Sequence, residues 1–114
     1  SCVDMPMVIL VNGNTGSAAE LFTSALMDYK KAVSVGEKTH GKGSVTSPFK
    51  LSDGSYIYVS NALYYPPVSD NFDGKGITPD YKVSLSYEAS RVSLYKLAPE
   101  DDAQLQYALE LLKK

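Results

Sequence analysis

Ser17 and Lys42 are the two side chains best placed to do chemistry in this sequence. Ser17 lies in VILVNGNTGSAAELF, where an apolar run meets a Gly-rich turn and then an amphipathic segment. A serine at a strand-to-helix turn is exposed for attack on a carbonyl, and the backbone N–H of the next residue, Ala18, can face the developing oxyanion. Lys42 is the middle residue of HGKGSV, between Gly41 and Gly43. A neutral lysine can replace histidine as the base that takes the serine proton. Neutrality near pH 7 requires desolvation, which brings a lysine pKa from about 10.4 toward 7–8.

Each residue also has a plainer reading. Ser17-Ala18-Ala19-Glu20 fits a capping box, in which serine caps a helix and glutamate bonds back. On the local pattern alone, capping is the stronger reading, and both roles compete for one hydroxyl. Lys42 alone reads as a solvated loop lysine, although its flanking glycines let the backbone pass close to another element.

Gly36-Glu37-Lys38-Thr39-His40-Gly41-Lys42 matches the opening of a phosphate-binding loop, but Gly43 stands where Ser or Thr is needed. The residues beyond Gly43 are β-like rather than helical, which argues against nucleotide binding. His40, the only histidine, lies two residues from Lys42 and reads as a surface loop residue. Asp28 and Asp53 read as helix-surface and turn residues. Asp70, Asp73 and Asp80 lack calcium-loop spacing. No metal and no cofactor is expected.

The elements that must position Ser17 and Lys42 can be read in order. Met7 to Val11 is continuously apolar, as in a strand buried on both faces. Asn12 to Gly16 is turn chemistry. A helix is predicted from Ser17 to about Lys30, with Ala18, Leu21, Phe22, Ala25, Leu26 and Tyr29 as its apolar stripe. Ala32 to Val35 is a second strand, and strand–helix–strand order implies a parallel, right-handed crossover. Val45 to Leu51 and Tyr56 to Leu63 flank Ser52-Asp53-Gly54-Ser55, a strong hairpin signal. Val68 to Pro79 is a loop, Tyr81 to Leu85 a short strand, and Pro99 to Leu112 a helix whose charge order suits the dipole.

The bulk properties set outer limits. With 114 residues, 44% hydrophobic and 21% charged, the chain has the composition of one globular domain. A formal net charge of −2 with scattered Lys and Arg argues against a nucleic-acid or anionic-membrane surface. Cys2 is the single cysteine, so neither a disulfide framework nor a structural zinc site is expected. No apolar run is long enough to span a membrane. The opening SCVDMPMVILVNG is not a signal peptide and suggests a segment of a longer protein.

In these residues the sequence resembles the tail-specific, or C-terminal processing, serine proteases. The stretches are PMVILVNGNTGSAAELFTSALMDY, AVSVGEKTHGKGSV, the hairpin through LYYPP, GKGITPDYKV and the helix PEDDAQLQYALELL, which cover nearly all the chain in family order. The resemblance implies Ser17 as nucleophile, Lys42 as general base and the Ala18 amide as oxyanion donor, with the family interval of 25 residues between 17 and 42. Asp28 matches an acidic position of the family, although its place along the helix suggests a structural role.

Thr15-Gly16 replaces the family's usual Ser-Ala, and Thr46 stands where a lysine-orienting glutamine is common, so the Thr46 hydroxyl or another group must take that part. The resemblance further implies an α/β core of the ββα type related to ClpP and crotonase folds. Residues 1–114 would be the C-terminal part of the catalytic domain, without its PDZ domain or upstream oxyanion donor. Substrates would be protein or peptide C-termini, in a bacterial envelope or other extracytoplasmic setting. Isolated from the rest of that domain, the segment is expected to be inactive and to expose strand edges that favour a homodimer. The alternative is a non-catalytic, peptide-binding module derived from a protease.

Overall fold

The computed structural model describes residues 4–113, so Cys2 and Lys114 lie outside the described residues. The apolar run MVILV forms strand β1 (Val8–Val11), followed by helix α1 (Ala18–Asp28) and strand β2 (Val33–Gly36). β1 and β2 pair in parallel, Val8 opposite Val33 and Val11 opposite Gly36, as the crossover pattern requires. Strand β5 (Tyr81–Lys82) adds in parallel to the other side of β2, giving the order β1-β2-β5. It is shorter than the expected Tyr81–Leu85.

A second, two-stranded sheet is the hairpin of β3 (Ser44–Lys50) and β4 (Tyr56–Leu63), which turns at Asp53-Gly54 as expected. The architecture is therefore mixed α/β. Helix α3 (Ala103–Leu112) packs against β1 and β2, and α1 packs against β2.

The structure corrects four sequence readings. β1 is not buried on both faces: it is an edge strand, Val11 is buried, and Leu10 is 41% exposed. The apolar stripe of α1 does not face inward. The buried residues of α1 are Glu20, Thr23 and Ser24, whereas Phe22 and Tyr29 are each 63% exposed. The polar face can turn inward because its groups are satisfied there: the Thr23 hydroxyl donates to the Ala19 carbonyl at 2.8 Å and Ser24 to Leu21 at 3.0 Å.

The C-terminal helix does not run unbroken from Pro99. Pro99–Asp101 form a 3₁₀ turn, and Asp102 caps α3 by accepting the Gln104 and Leu105 amides at 3.0 and 2.9 Å. Finally, a one-turn helix, α2 (Tyr87–Ser90), lies in a stretch with no predicted element.

The hairpin projects from this core. Every residue of β4 is exposed, and the radius of gyration is 17.2 Å, against about 13 Å for a compact chain of this length. A two-stranded hairpin is marginal on its own, so its attachment points matter. The Tyr64 amide donates to the Gly43 carbonyl at 2.7 Å. The Asn71 side-chain amide then reaches both the Gly43 and Tyr64 carbonyls, at 3.1 and 2.5 Å.

Because Asp102 is buried and satisfies two amides of α3, Asp102→Ala is expected to cost about 1–2 kcal/mol. A urea titration followed by circular dichroism would show this as a lower midpoint at unchanged slope.

Candidate active site

Ser17 is the hinge between the turn after β1 and the first residue of α1. Its backbone has φ 58° and ψ −122°, the geometry of the first central position of a type II′ turn, which glycine normally fills. An ordinary helix cap sits instead in the extended region. Holding a serine there costs roughly 1–3 kcal/mol, and such strain persists only where the surroundings over-determine it.

Glu20 provides that determination. The Ser17 amide donates to Glu20 Oε2 at 2.9 Å, which is the glutamate half of the expected capping box. The other half is a looser contact: the Glu20 amide faces the Ser17 side chain, as the box requires, but gives its hydrogen bond to the Ser17 carbonyl at 2.9 Å, and no side-chain cap hydrogen bond forms. The two readings of Ser17 are thus compatible, because the hydrogen bonds at the helix start use its backbone and not its hydroxyl. The Ala19, Glu20 and Leu21 amides are all engaged at the helix start, whereas the Ala18 amide has no acceptor among the described residues.

The same carboxylate holds the loop that carries Lys42. Glu20 Oε1 accepts from the Thr39 hydroxyl at 2.5 Å and from the Gly41 amide at 2.6 Å, and Oε2 accepts from the Lys42 amide at 2.9 Å. One oxygen therefore receives both the Ser17 and the Lys42 amides. Their nitrogens lie within twice 2.9 Å of each other. Glu20 is 0% exposed and has four donors but no cation among the described residues. Burial alone would raise its pKa, but the bonds from Thr39, Gly41, Lys42 and Ser17 outweigh it and hold the carboxyl below its ordinary value.

From the other side, residues 71–77 clamp the loop. The Gly43 amide donates to Asp73 Oδ1 at 2.8 Å, Gly74 to the Gly41 carbonyl at 2.9 Å, and Ile77 to the Thr39 hydroxyl at 2.6 Å. The approach is close enough to need glycine on both sides of Lys42. A Cβ on Gly41 would fall 2.7 Å from the Gly76 nitrogen, and one on Gly43 2.6 Å from the Asp73 nitrogen. The clamp fixes the backbone of Lys42 and leaves its side chain exposed.

The remaining sequence candidates are spread around this centre. His40 donates its amide to the Thr15 carbonyl at 2.9 Å, and its side chain is exposed. Thr46 lies on β3 beside a register shift, is exposed, and makes no side-chain hydrogen bond to Lys42 among the described residues. Asp28 ends α1 far from Ser17. It accepts the Ser69 and Val68 amides, each at 2.9 Å, and the Ser69 hydroxyl at 3.2 Å. The Ser69 amide leads the interactions that lower its pKa. Asp28 thus fastens the loop after the hairpin to the helix. A 210 Å³ cleft beside it, lined by Met27, Phe72 and Ile77 among others, lies down α1 from Ser17. Among the described residues no cluster of His, Cys, Asp or Glu could hold a metal, and no helix is long and apolar enough to cross a membrane.

Glu20 is the residue that sequence reasoning undervalues. Its place three after Ser17 marks it as a capping acid, but not as the tie to Thr39, Gly41 and Lys42. Replacing it by Gln keeps the shape and removes the charge, leaving one or more buried donors without an acceptor. Glu20→Gln is expected to cost roughly 3–5 kcal/mol at neutral pH. Because the folded pKa is lowered, the wild-type advantage is full above the ordinary carboxylate value and shrinks as pH falls through the lowered one. Paired denaturant titrations of both proteins across acid pH would show the gap closing.

The family model described as peptidase family S41 matches residues 2–83. A carboxyl-terminal-processing protease of Synechocystis sp. is 42% identical over 112 residues, covering 98% of this chain and 25% of that protein. The chloroplastic carboxyl-terminal-processing peptidase 2 of Arabidopsis thaliana is 44% identical over 82 residues, covering 72% of this chain and 16% of its own. Among solved structures, a photosystem II D1 C-terminal processing protease superposes with a TM-score of 0.67 at 38% identity, over 71% of this chain and 21% of that one. The chain spans a quarter or less of the length of these relatives.

Proposed function

The chain belongs to peptidase family S41, and from that premise we propose that it is the C-terminal part of a catalytic domain that cleaves proteins near their C-terminal tails. The observation that carries the reading is the shared oxygen of Glu20, which brings the backbones of Ser17 and Lys42 together. Supporting it are the II′-type backbone of Ser17 and the absence of a side-chain cap hydrogen bond from its hydroxyl.

The mechanism is acyl transfer. The neutral amine of Lys42 takes the proton of the Ser17 hydroxyl as Oγ forms a bond to the peptide carbonyl carbon. The Ala18 amide, free of any acceptor among the described residues, donates to the developing oxyanion. As the C–N bond breaks, the lysine ammonium returns the proton to the leaving amine. Water then attacks the ester, Lys42 takes its proton, and the Ser17 hydroxyl is restored as the acid product leaves. No cofactor is needed.

The architecture in this reading is the ββα core of the ClpP and crotonase type, completed by upstream elements of the domain that supply a second oxyanion donor and cover Lys42. Thr46 stands at the family's glutamine position without bonding Lys42 among the described residues, so the backbone clamp on Gly41 to Gly43 positions the lysine instead, and Asp28 is a supporting residue of the scaffold. The setting is extracytoplasmic, in line with names such as the chloroplastic peptidase of Arabidopsis. The free edges of β1 and of the hairpin suit a homodimer when this segment is alone.

In the full-length polypeptide carrying this chain, Ser17→Ala and Lys42→Ala are each expected to reduce cleavage of a tailed protein substrate by about 10³-fold or more. Retained turnover in either variant refutes the dyad. A serine-directed fluorophosphonate should label the full-length wild type but not residues 1–114 alone. Labelling of neither favours the non-catalytic peptide-binding module.

A further inference from the structure

A second concave site opens at the turn that leads from β1 toward Ser17, where β1 and β2 end. Asn12 follows the last residue of β1 and Glu37 the last residue of β2. Together with Asn14, Leu85, Ser90 and Gln104 they line a cleft of about 260 Å³. The carboxyl ends of parallel strands are where open α/β sheets bind ligands.

The lining is polar and carries one charged group, the Glu37 carboxylate, among neutral amides and a hydroxyl. Gln104 is only 7% exposed and donates its side-chain N–H to the Val83 carbonyl at 2.9 Å, and its Oε1 has no donor among the described residues. Gln104 lines the cleft, and because no fully buried side-chain oxygen among the described residues lacks a partner, its Oε1 is not sealed from solvent. The Glu37 carboxylate is engaged by no donor among the described residues, and Glu37 is exposed. The Asn12 Oδ1 already accepts from the Asn14 amide at 2.9 Å, which sets the turn that forms one wall. The Ser90 hydroxyl gives its proton to the Tyr87 carbonyl at 2.7 Å and so turns lone pairs outward. The Glu37 carboxylate, unpaired among the described residues, together with the Gln104 amide oxygen and the Ser90 hydroxyl oxygen on the same lining, matches a cation that brings several N–H groups.

We infer that this cleft is a subsite for an arginine side chain of the substrate, paired with Glu37 and Gln104. The planar guanidinium has five donors and fits an acceptor-rich slot better than a compact ammonium does. Asn14 and Ser17 are three residues apart, so the cleft wall lies within about 11 Å of the nucleophile. That is the span of about three residues of extended peptide. The arginine therefore sits within about three residues of the bond that Ser17 attacks. This placement rests on the peptidase reading, whereas the cleft's preference for a guanidinium does not.

Two measurements separate those claims. In ¹⁵N–¹H spectra of the protein, N-acetyl-arginine methylamide should shift the amides of Asn14, Glu37 and Gln104. The uncharged N-acetyl-citrulline methylamide should bind about tenfold more weakly. Glu37→Gln should remove that difference, and Asn14→Asp should enlarge it. Equal binding of the two probes, or shifts confined to another face, overturns the inference.

In the full-length polypeptide, peptides carrying arginine or citrulline at each of three positions on either side of the scissile bond are compared by kcat/KM. An arginine preference of about tenfold at one position, lost in Glu37→Gln, supports the subsite. No preference at any position overturns its place in catalysis. Selective arginine binding with no cleavage of any peptide supports the cleft and refutes the peptidase reading.

Discussion

One buried carboxylate organises this molecule. Glu20 accepts four hydrogen bonds from two separate stretches of chain, three from the Ser17, Gly41 and Lys42 amides and one from the Thr39 hydroxyl, and no cation pairs with it among the described residues. A charge without counter-ion is tolerable inside a protein only when fixed dipoles replace water, and here amides and a hydroxyl do so. The position at the start of α1 helps, because the helix N-terminus favours negative charge. The two features that make the site unusual both depend on this arrangement. The positive φ of Ser17 is held because its amide must reach Oε2, and the tight path of Gly41-Lys42-Gly43 is held because two successive amides point at the same carboxylate. An apolar residue at position 20 would leave both turns free to relax.

That arrangement also explains why α1 is turned polar side inward. A helix normally buries its apolar stripe, since that removes the most hydrocarbon from water. In α1 the face toward the rest of the chain must instead present Glu20, and Thr23 and Ser24 follow it along the same side of the helix. The stripe containing Phe22 and Tyr29 is left outward, as are most of the large side chains of the hairpin. The buried hydrophobic set is correspondingly small, formed by residues such as Val11, Val35, Phe72 and Ala108. Stability therefore leans more on polar ties such as Glu20, and Asp80 to the Ser34 amide and hydroxyl at 2.8 and 2.9 Å, than is usual for a chain of this length.

How much of this is legible in the sequence depends on which interactions are local. The β1–turn–α1–β2 unit is legible because apolar runs, a Gly-rich turn and helical spacing lie within one stretch. The hairpin is legible because Asp53-Gly54 separates two β-rich runs. Ser17 is visible for the same reason, and Lys42 through its flanking glycines. The direction of the α1 stripe is not legible, because periodicity reveals that a helix is two-sided but not which side meets the fold. The start of α3 is blurred because Pro99, Glu100, Asp101 and Asp102 all carry start signals, and only the bonds to Gln104 and Leu105 single out Asp102. The reach of Glu20 to Thr39 and Lys42 spans about twenty residues, and no local pattern encodes it.

A lysine base needs two things, position and dryness, and the fold treats them separately. Position is supplied by backbone contacts: Glu20 from one side, Asp73 and Gly74 from the other, all gripping the residues around Lys42 rather than its side chain. Such a clamp works whether or not the amine is covered, and in this chain the side chain is exposed. Dryness must come from surfaces that pack over the amine, and the exposed hydrocarbon of the hairpin and of α1 offers broad faces on which such surfaces could rest. Under the proposed dyad, separating the two lets the chain hold the backbones of Ser17 and Lys42 together before the surrounding protein excludes water. The reactive pair would then be assembled first and switched on by burial, with its backbone geometry already in place.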